Sequence, residues 1–417
     1  MTNSLRCNFG LLWGSHFLSV LSSMVIAPLM PFYMEQLGAG DQAAVLLWSG
    51  LGLTAPAVSA ALTAPLWGRL GDITSRKWMV IRALGASACV LAAMGLANTP
   101  FQLFLLRFLQ GALGGVVDAV GAFAASQAGK EEQGKARGKL EGALAAGSML
   151  GPLLGGGLMG AIGFRYILHS LAILLALWTI LCAFWLKERQ SEKRTAAVTQ
   201  TGITAPLRGL LHKRELRLFL LAGITANFGI FGLLPVLPLH LKPYIGTSAQ
   251  TAVWVGILQA VLWAAVWLTS SWWGRRNDVS PVHRNYALAA ALCGVAIVLQ
   301  ALAPGMEWLV STRVVQGAAS SALVQSVFLV VTRSAPEGEL GTRLGFTRSI
   351  LFTGQIAGPM TSGLLGTMLT TSGLFVLHGA AIAAGGLLVG LFASPKLARR
   401  GVEDIPGCGH RPLPNEK

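Results

Sequence analysis

Acidic side chains are scarce in this chain. Only 17 Asp and Glu stand beside 32 Lys and Arg in 417 residues, and charged residues of both signs make up 12%. A soluble domain carries about twice that charged fraction, so an ordinary water-soluble globule is excluded. The five cysteines (Cys7, Cys89, Cys182, Cys293 and Cys408) are scattered and form no Cys-x2-Cys or other metal spacing. That argues against a metal site or a disulfide framework and leaves free thiols. No Gly-x4-Gly-Lys-Ser/Thr phosphate loop, no His-Glu-x2-His pair, no nucleophile elbow and no dinucleotide fingerprint in its strand context occurs. Direct coupling to ATP and the commoner enzymatic sites are therefore not expected, nor is a cofactor. An energised process would have to draw on an ion gradient.

What the chain has instead is apolar length. Hydrophobic residues make up 53%, the mean hydropathy is +0.61, and runs such as 84–96 and 167–186 exceed what a soluble core helix needs. A bilayer crossing takes about 20 apolar residues. The pattern predicts an all-α membrane protein with twelve spans, at 9–34, 43–67, 78–97, 101–124, 139–162, 166–186, 216–241, 250–274, 285–303, 307–332, 344–368 and 373–394. Helices are required because lipid offers the backbone no hydrogen-bond partner, and a barrel would show alternation. The first apolar run leads straight into a second span, unlike a cleaved signal peptide.

The basic excess has a position. Arg69, Arg76, Lys77, Lys130, Lys135, Arg137, Lys139, Arg275, Arg276, Arg284, Arg333 and Arg343 fall in or beside the even-numbered connections, and 187–217 carries eight more. The opposite connections are nearly bare, with Arg165 and Lys242 the main exceptions. By the positive-inside rule both termini and the central loop are cytoplasmic, and the net charge of +15 is a topology signal. A nucleic-acid partner is not expected.

Four motifs recur in order at a constant offset. Pro28 and Pro31 match Pro235 and Pro238; Trp67-Gly68-Arg69 with Asp72 matches Trp273-Gly274-Arg275 with Asp278. Arg107 with Gln110-Gly111 matches Arg313 with Gln316-Gly317, and Gly147 with Gly151-Pro152 matches Gly354 with Gly358-Pro359. The chain is two copies of one six-span unit, which in an apolar protein points to a transporter with its site where the repeats meet. The expected division is a bundle over 1–190, a linker over 191–215, a bundle over 216–396 and a tail over 397–417. Gly147, Gly151 and Gly155 recur every four residues and form one smooth face for close helix packing, with Gly156 beside them and Pro152 inviting a bend.

Together these motifs resemble the major facilitator superfamily over all twelve spans. The loop Gly68-Arg69-Leu70-Gly71-Asp72 with Arg76-Lys77 is similar to the family's Gly-x-Leu-Ala-Asp-Arg-x-Gly-Arg-Arg/Lys, departing at Ile73 and Ser75. Arg107-x2-Gln110-Gly111 resembles a second family motif. Gly147-x3-Gly151-Pro152-x2-Gly155-Gly156 resembles the motif of drug:proton antiporters, although its near-copy in the second repeat favours a packing role. The resemblance implies a proton-driven exporter of small organic molecules, of the multidrug or siderophore kind, working as a monomer among the lipids of a bacterial inner membrane. An importer or passive facilitator of sugars or organic acids is the alternative. It also implies that helix 11 packs beside helix 2, and helix 5 beside helix 8. Asp72–Arg348 and Glu141 with Arg275 or Arg276 then become candidate ties across the cytoplasmic side.

Several side chains are candidates for chemistry. Asp118 lies eleven residues past Arg107, about 16 Å along a continuous helix, and its repeat mate is Val324. It is either a proton site or a structural carboxylate. Arg107 and Arg313, being repeated, serve either a shared structural role or contact with protons or an anionic substrate. His16 is a further polar group in the first span. Asn227, Gln259, Trp263 and Gln325 are candidates because they sit on spans that the family uses for its cavity. The cavity so read is poor in acids, which favours neutral or anionic cargo.

Overall fold

The computed structural model describes residues 3–127, 133–188, 204–336 and 340–393, and within them it is built of helices alone. In the first repeat these are α1 (Asn3–Gln36), α2 (Gln42–Ile73), α3 (Arg76–Gly95), α4 (Pro100–Leu113), α5 (Val116–Gln127), α6 (Gln133–Ile162) and α7 (Phe164–Trp185). A short helix, α8 (Thr204–His212), precedes the second repeat. That repeat contains α9 (Arg214–Gly232), α10 (Val236–Ile245), α11 (Ser248–Val279), α12 (Val282–Ala301), α13 (Met306–Ser334), α14 (Leu340–Leu365) and α15 (Thr371–Phe392). Among the described residues, eleven stretches are long and apolar enough to cross a membrane. The expected span 344–368 is α14, long enough at 26 residues but made more polar by Arg343, Thr347, Arg348, Ser349 and Thr353.

Local chemistry starts these helices where the sequence changes character. Asp41 accepts from the Ala44 amide at 2.8 Å, Ser75 from Trp78 at 3.1 Å and Thr99 from Gln102 at 3.2 Å. Each satisfies an amide that the first helical turn leaves unpaired. Two spans are interrupted. The fourth breaks at Gly114-Gly115, where Gly115 takes φ +82°, a value that suits glycine alone. The seventh breaks between α9 and α10, beside Pro235.

Packing repeats between the halves. α1 lies on α6 as α9 lies on α14; α3 lies on α7 as α12 lies on α15; α2 lies on α4 as α11 lies on α13. The halves meet where α6 crosses α11 and where α2 crosses α14, so the expected neighbours of helices 11 and 5 are both found. The glycine-proline motif serves two of these contacts at once. On one face, Cβ atoms at Gly147, Gly151 and Gly155 would press on Phe17, Leu21, Met24, Val25 and Leu29 of α1. On the other, Pro152 and Gly156 meet α11: a Cβ on Gly256 would run into the Pro152 carbonyl, and one on Gly156 into the Ala252 carbonyl. The second repeat does the same in exchange. A Cβ on Gly50 would strike the Pro359 carbonyl, and one on Gly363 would sit 3.1 Å from the Leu46 carbonyl oxygen. Thr54 adds a hydrogen bond to the Ile356 carbonyl at 3.2 Å.

The described residues also show what the linker contributes. α8 tucks Leu210 away from solvent and lays Gly209 against Arg343 of α14. Just before the linker, at the end of the first bundle, Glu188 caps α3 by accepting from the Ser75 hydroxyl at 2.5 Å and the Arg76 amide at 3.0 Å. Residues 191–203 and the tail 397–417 lie outside the described residues. Cys89, Cys182 and Cys293 are free thiols.

Candidate functional site

The crossings that join the halves lie toward the end of the bundle away from the basic loops. Residues 46–54 of α2 meet 356–366 of α14, and 152–160 of α6 meet 249–256 of α11. That end carries one more tie: Lys242 donates to both carboxylate oxygens of Glu35, at 2.8 and 2.9 Å. Glu35 and Lys242 are 207 residues apart, the repeat offset, so a pseudo-twofold pair with opposite charges closes on itself. The second exception to the charge pattern also has a role there. Arg165 donates to the Ala97 carbonyl and to Asn98 Oδ1, each at 3.0 Å, joining two connections of the first half.

At the basic end the described contact between halves is looser. Arg348 Nη1 stands 3.8 Å from Asp118 Oδ1, with the two side chains 52% and 79% exposed. Among the described residues, the contacts between the halves therefore concentrate at the end away from the basic loops. The partner of Arg348 in this conformation is Asp118. The side chain of Asp72, the partner expected for it, lies outside the described residues, as does the detail of Gly68. Asp118 also differs from its expected setting. The break at Gly114-Gly115 puts it in the first turn of α5, where it faces open space, whereas counting along a continuous helix buries it. Glu141 is exposed near the start of α6 and Arg275 is exposed on α11. Arg276 donates to Asn285 Oδ1 at 3.2 Å and lies 5.2 Å from the Trp272 ring centre.

Two of the candidate groups, Asp118 and Arg348, come together. His16 on α1 is 6% exposed, and neither ring nitrogen has a hydrogen-bond partner. The two arginines stay apart in their own halves. Arg107 is buried, donating through Nε to the Gly52 carbonyl at 3.0 Å and through Nη1 to Gln110 at 2.5 Å. Arg313 makes the equivalent bond to Gln316 at 3.1 Å, with Nε unpaired. Among the described residues neither forms an ion pair. Asn227 is buried and bonds to the Gly223 carbonyl at 3.1 Å. Gln259 is buried, Trp263 and Gln325 are half-buried, and Gln325 Nε2 has no partner.

The pair missed in the sequence was Glu35–Lys242, although the offset of 207 was already in hand. A search for like residues passes over mates of opposite charge. The pair is half-buried, and an ion pair still reached by water contributes about 0.2–1 kcal/mol. Glu35→Gln should therefore shift the balance toward opening at that end by less than about sixfold. The exchange Glu35→Lys with Lys242→Glu should restore it. Spin-label distances between Ile162 and Gln250 read the shift, and an exchange no better than the worse single variant rules out the tie.

The sequence matches the family model described as Major Facilitator Superfamily over residues 12–278 and 219–407. It is 37% identical to the Staphyloferrin B transporter of Staphylococcus aureus over 386 residues, 92% of each chain. It is 25% identical to the multidrug resistance protein MdtG of Proteus mirabilis, covering 86% of this chain and 89% of that one. In fold it is similar to a bacterial homologue of the human lysosomal transporter Spinster, with a TM-score of 0.73 at 14% identity over 93% of this chain and 95% of that one. Two six-span repeats and the glycine crossings between them thus coincide with a family match along nearly the whole sequence: the chain belongs to the major facilitator superfamily and is a multi-pass membrane transporter, not an enzyme.

Proposed function

We propose that this protein exports a small anionic organic molecule from the cytoplasm, driven by inward proton flow, with the two halves rocking about the cleft. The observation that carries the export reading is the 37% identity to the Staphyloferrin B transporter along 92% of both chains. The charge balance of the site supports the anionic cargo. Buried Arg107 and Arg313 meet only neutral partners among the described residues, while Asp118 is already engaged by Arg348. On this reading the basic loops face the cytoplasm, both termini lie there, and the cleft now opens inward. Asp118 is the proton carrier. Exposed, it is reached by water and held by Arg348. When the cleft closes over it the carboxylate leaves water and is better carried as the neutral acid. His16 is the second polar group on that path.

The cellular test is deletion of the gene. Cells without it should retain an anionic cargo inside and release less of it, with sensitivity to cationic dyes unchanged. A strong rise in dye sensitivity with normal anion release would instead place the protein with the multidrug pumps, to which it is also similar. Arg107→Lys and Arg313→Lys keep the charge and lose the planar fork that grips a carboxylate in two places. A weaker apparent affinity with normal amounts of protein in the membrane supports cargo contact; loss of the protein supports a purely structural role.

A further inference from the structure

The first half contains a cavity of about 320 Å³ between α2, α3 and the broken fourth span, separate from the cavity residues considered so far. Arg82 and Arg76 enter it from α3, Thr63 and Trp67 form the α2 wall, and Asp118 stands at its rim toward the cleft. The Arg82 guanidinium carbon lies over the Trp67 ring, 3.5 Å from its centre. It donates to the Leu113 carbonyl at 2.7 Å and the Gly114 carbonyl at 3.1 Å, the last carbonyls of α4. Arg76 donates to the Ala122 carbonyl at 2.6 Å. Two cations thus line one cavity, and no carboxylate hydrogen bond to either guanidinium is found among the described residues, although Asp118 stands at the rim.

The second repeat shows that the bundle does not need them. It builds the same anchor: Trp273 donates to the Ala318 carbonyl at 2.7 Å and Thr269 at 3.3 Å. Trp67 and Thr63 do so to Ala112 at 2.6 and 3.2 Å. At offset 206, however, Arg82 becomes Leu288, Arg76 becomes Val282 and Asp118 becomes Val324. Gly114-Gly115 becomes Ser320-Ser321 within the unbroken α13. The architecture is kept and every charge is gone. The break opens the cavity, and the charges are specific to this half.

We propose that this cavity binds a carboxylate group of the cargo, with Arg82 as its principal contact and Trp67 as the flat wall beside it. The proposal rests on the anionic-cargo reading above and adds to it the place of recognition. Arg82 has five N–H donors and uses one on each Nη for a carbonyl, so three remain for an oxyanion, among them the buried Nε–H, which has no partner. At about 320 Å³ the cavity lies at the small end of ligand sites, which run from about 300 to 1,000 Å³, room for a small acid or one acidic arm of a larger molecule. The rest of the cargo would extend past Asp118 into the cleft.

Titration calorimetry on the purified full-length protein tests this, with citrate as the probe. Arg82→Leu, which installs the residue of the second repeat, should weaken citrate binding about tenfold or more, the loss of a charge-assisted hydrogen-bonded contact. Ala64→Leu, which fills the cavity without altering charge, should do the same and guards against misfolding of the first variant. Arg82→Lys should fall between. Arg69→Gln, exposed outside the cavity, should bind as wild type. Wild-type affinity in both Arg82→Leu and Ala64→Leu overturns the site while leaving anion export standing. No citrate binding by the wild-type protein overturns both. The remaining arm uses nanodiscs of phosphatidylcholine with and without phosphatidylglycerol, in which citrate affinity should be unchanged. Displacement of citrate by phosphatidylglycerol through Arg82 assigns the cavity to a lipid headgroup and overturns the cargo site.

Discussion

Gly256→Leu should leave the protein in the membrane and reduce transport to background. At this crossing the backbones of α6 and α11 touch, because a Cβ on Gly256 would run into the Pro152 carbonyl. A leucine there can be accommodated only if the helices separate, and overpacking of this kind costs about 1–3 kcal/mol, a shift of about 5- to 150-fold in the closed population. Gly50→Leu, its mate against Pro359, should do the same, and the pair should be worse than either. Gly157→Leu is the control, since nothing lies within 4 Å of its Cβ position. Spin labels at Ile162 and Gln250 should move apart in Gly256→Leu and stay together in Gly157→Leu. Equal transport by the two variants would mean that this crossing does not hold the halves.

Asp118→Asn should abolish proton-coupled transport with insertion unchanged. The side chain is 79% exposed and its contact with Arg348 is 3.8 Å, so an amide fits and the stability lost is small, under about 1 kcal/mol. The effect should fall on coupling: in proteoliposomes with an imposed pH gradient, cargo-driven proton flux disappears. Exchanging the charges, Asp118→Arg with Arg348→Asp, should recover the gating contact without recovering coupled flux. Normal proton flux in Asp118→Asn would leave the residue as a gate alone.

Much of this was legible because membrane folding leaves a coarse trace. Span length follows bilayer thickness, and the repeat shows as like motifs about 206 residues apart; the pairing of α2 with α14 and α6 with α11 came from the family resemblance those motifs carry. The glycine ladder was read as one packing face; its second face, Pro152 and Gly156 against α11, emerged only once Gly256 and Ala252 were seen opposite. What the sequence hid has physical reasons. Hydropathy is continuous through Gly114-Gly115, so the break in the fourth span leaves no mark, and measuring depth at 1.5 Å per residue carried Asp118 past it. Arg82 sits in an otherwise apolar span with no motif around it, and only the carbonyls freed by the break explain it. α8, at nine residues, is too short for periodicity to declare. Glu35–Lys242 needed a search for opposites where the repeats had been found by likeness.

Inward proton flow driving export is tested in everted membrane vesicles energised to an acidic interior and given radiolabelled citrate outside. Uphill accumulation that collapses on addition of a protonophore, and is missing from Asp118→Asn vesicles, is the expected result. Citrate entry that only equilibrates, at a rate indifferent to the protonophore, would contradict it and establish a passive facilitator.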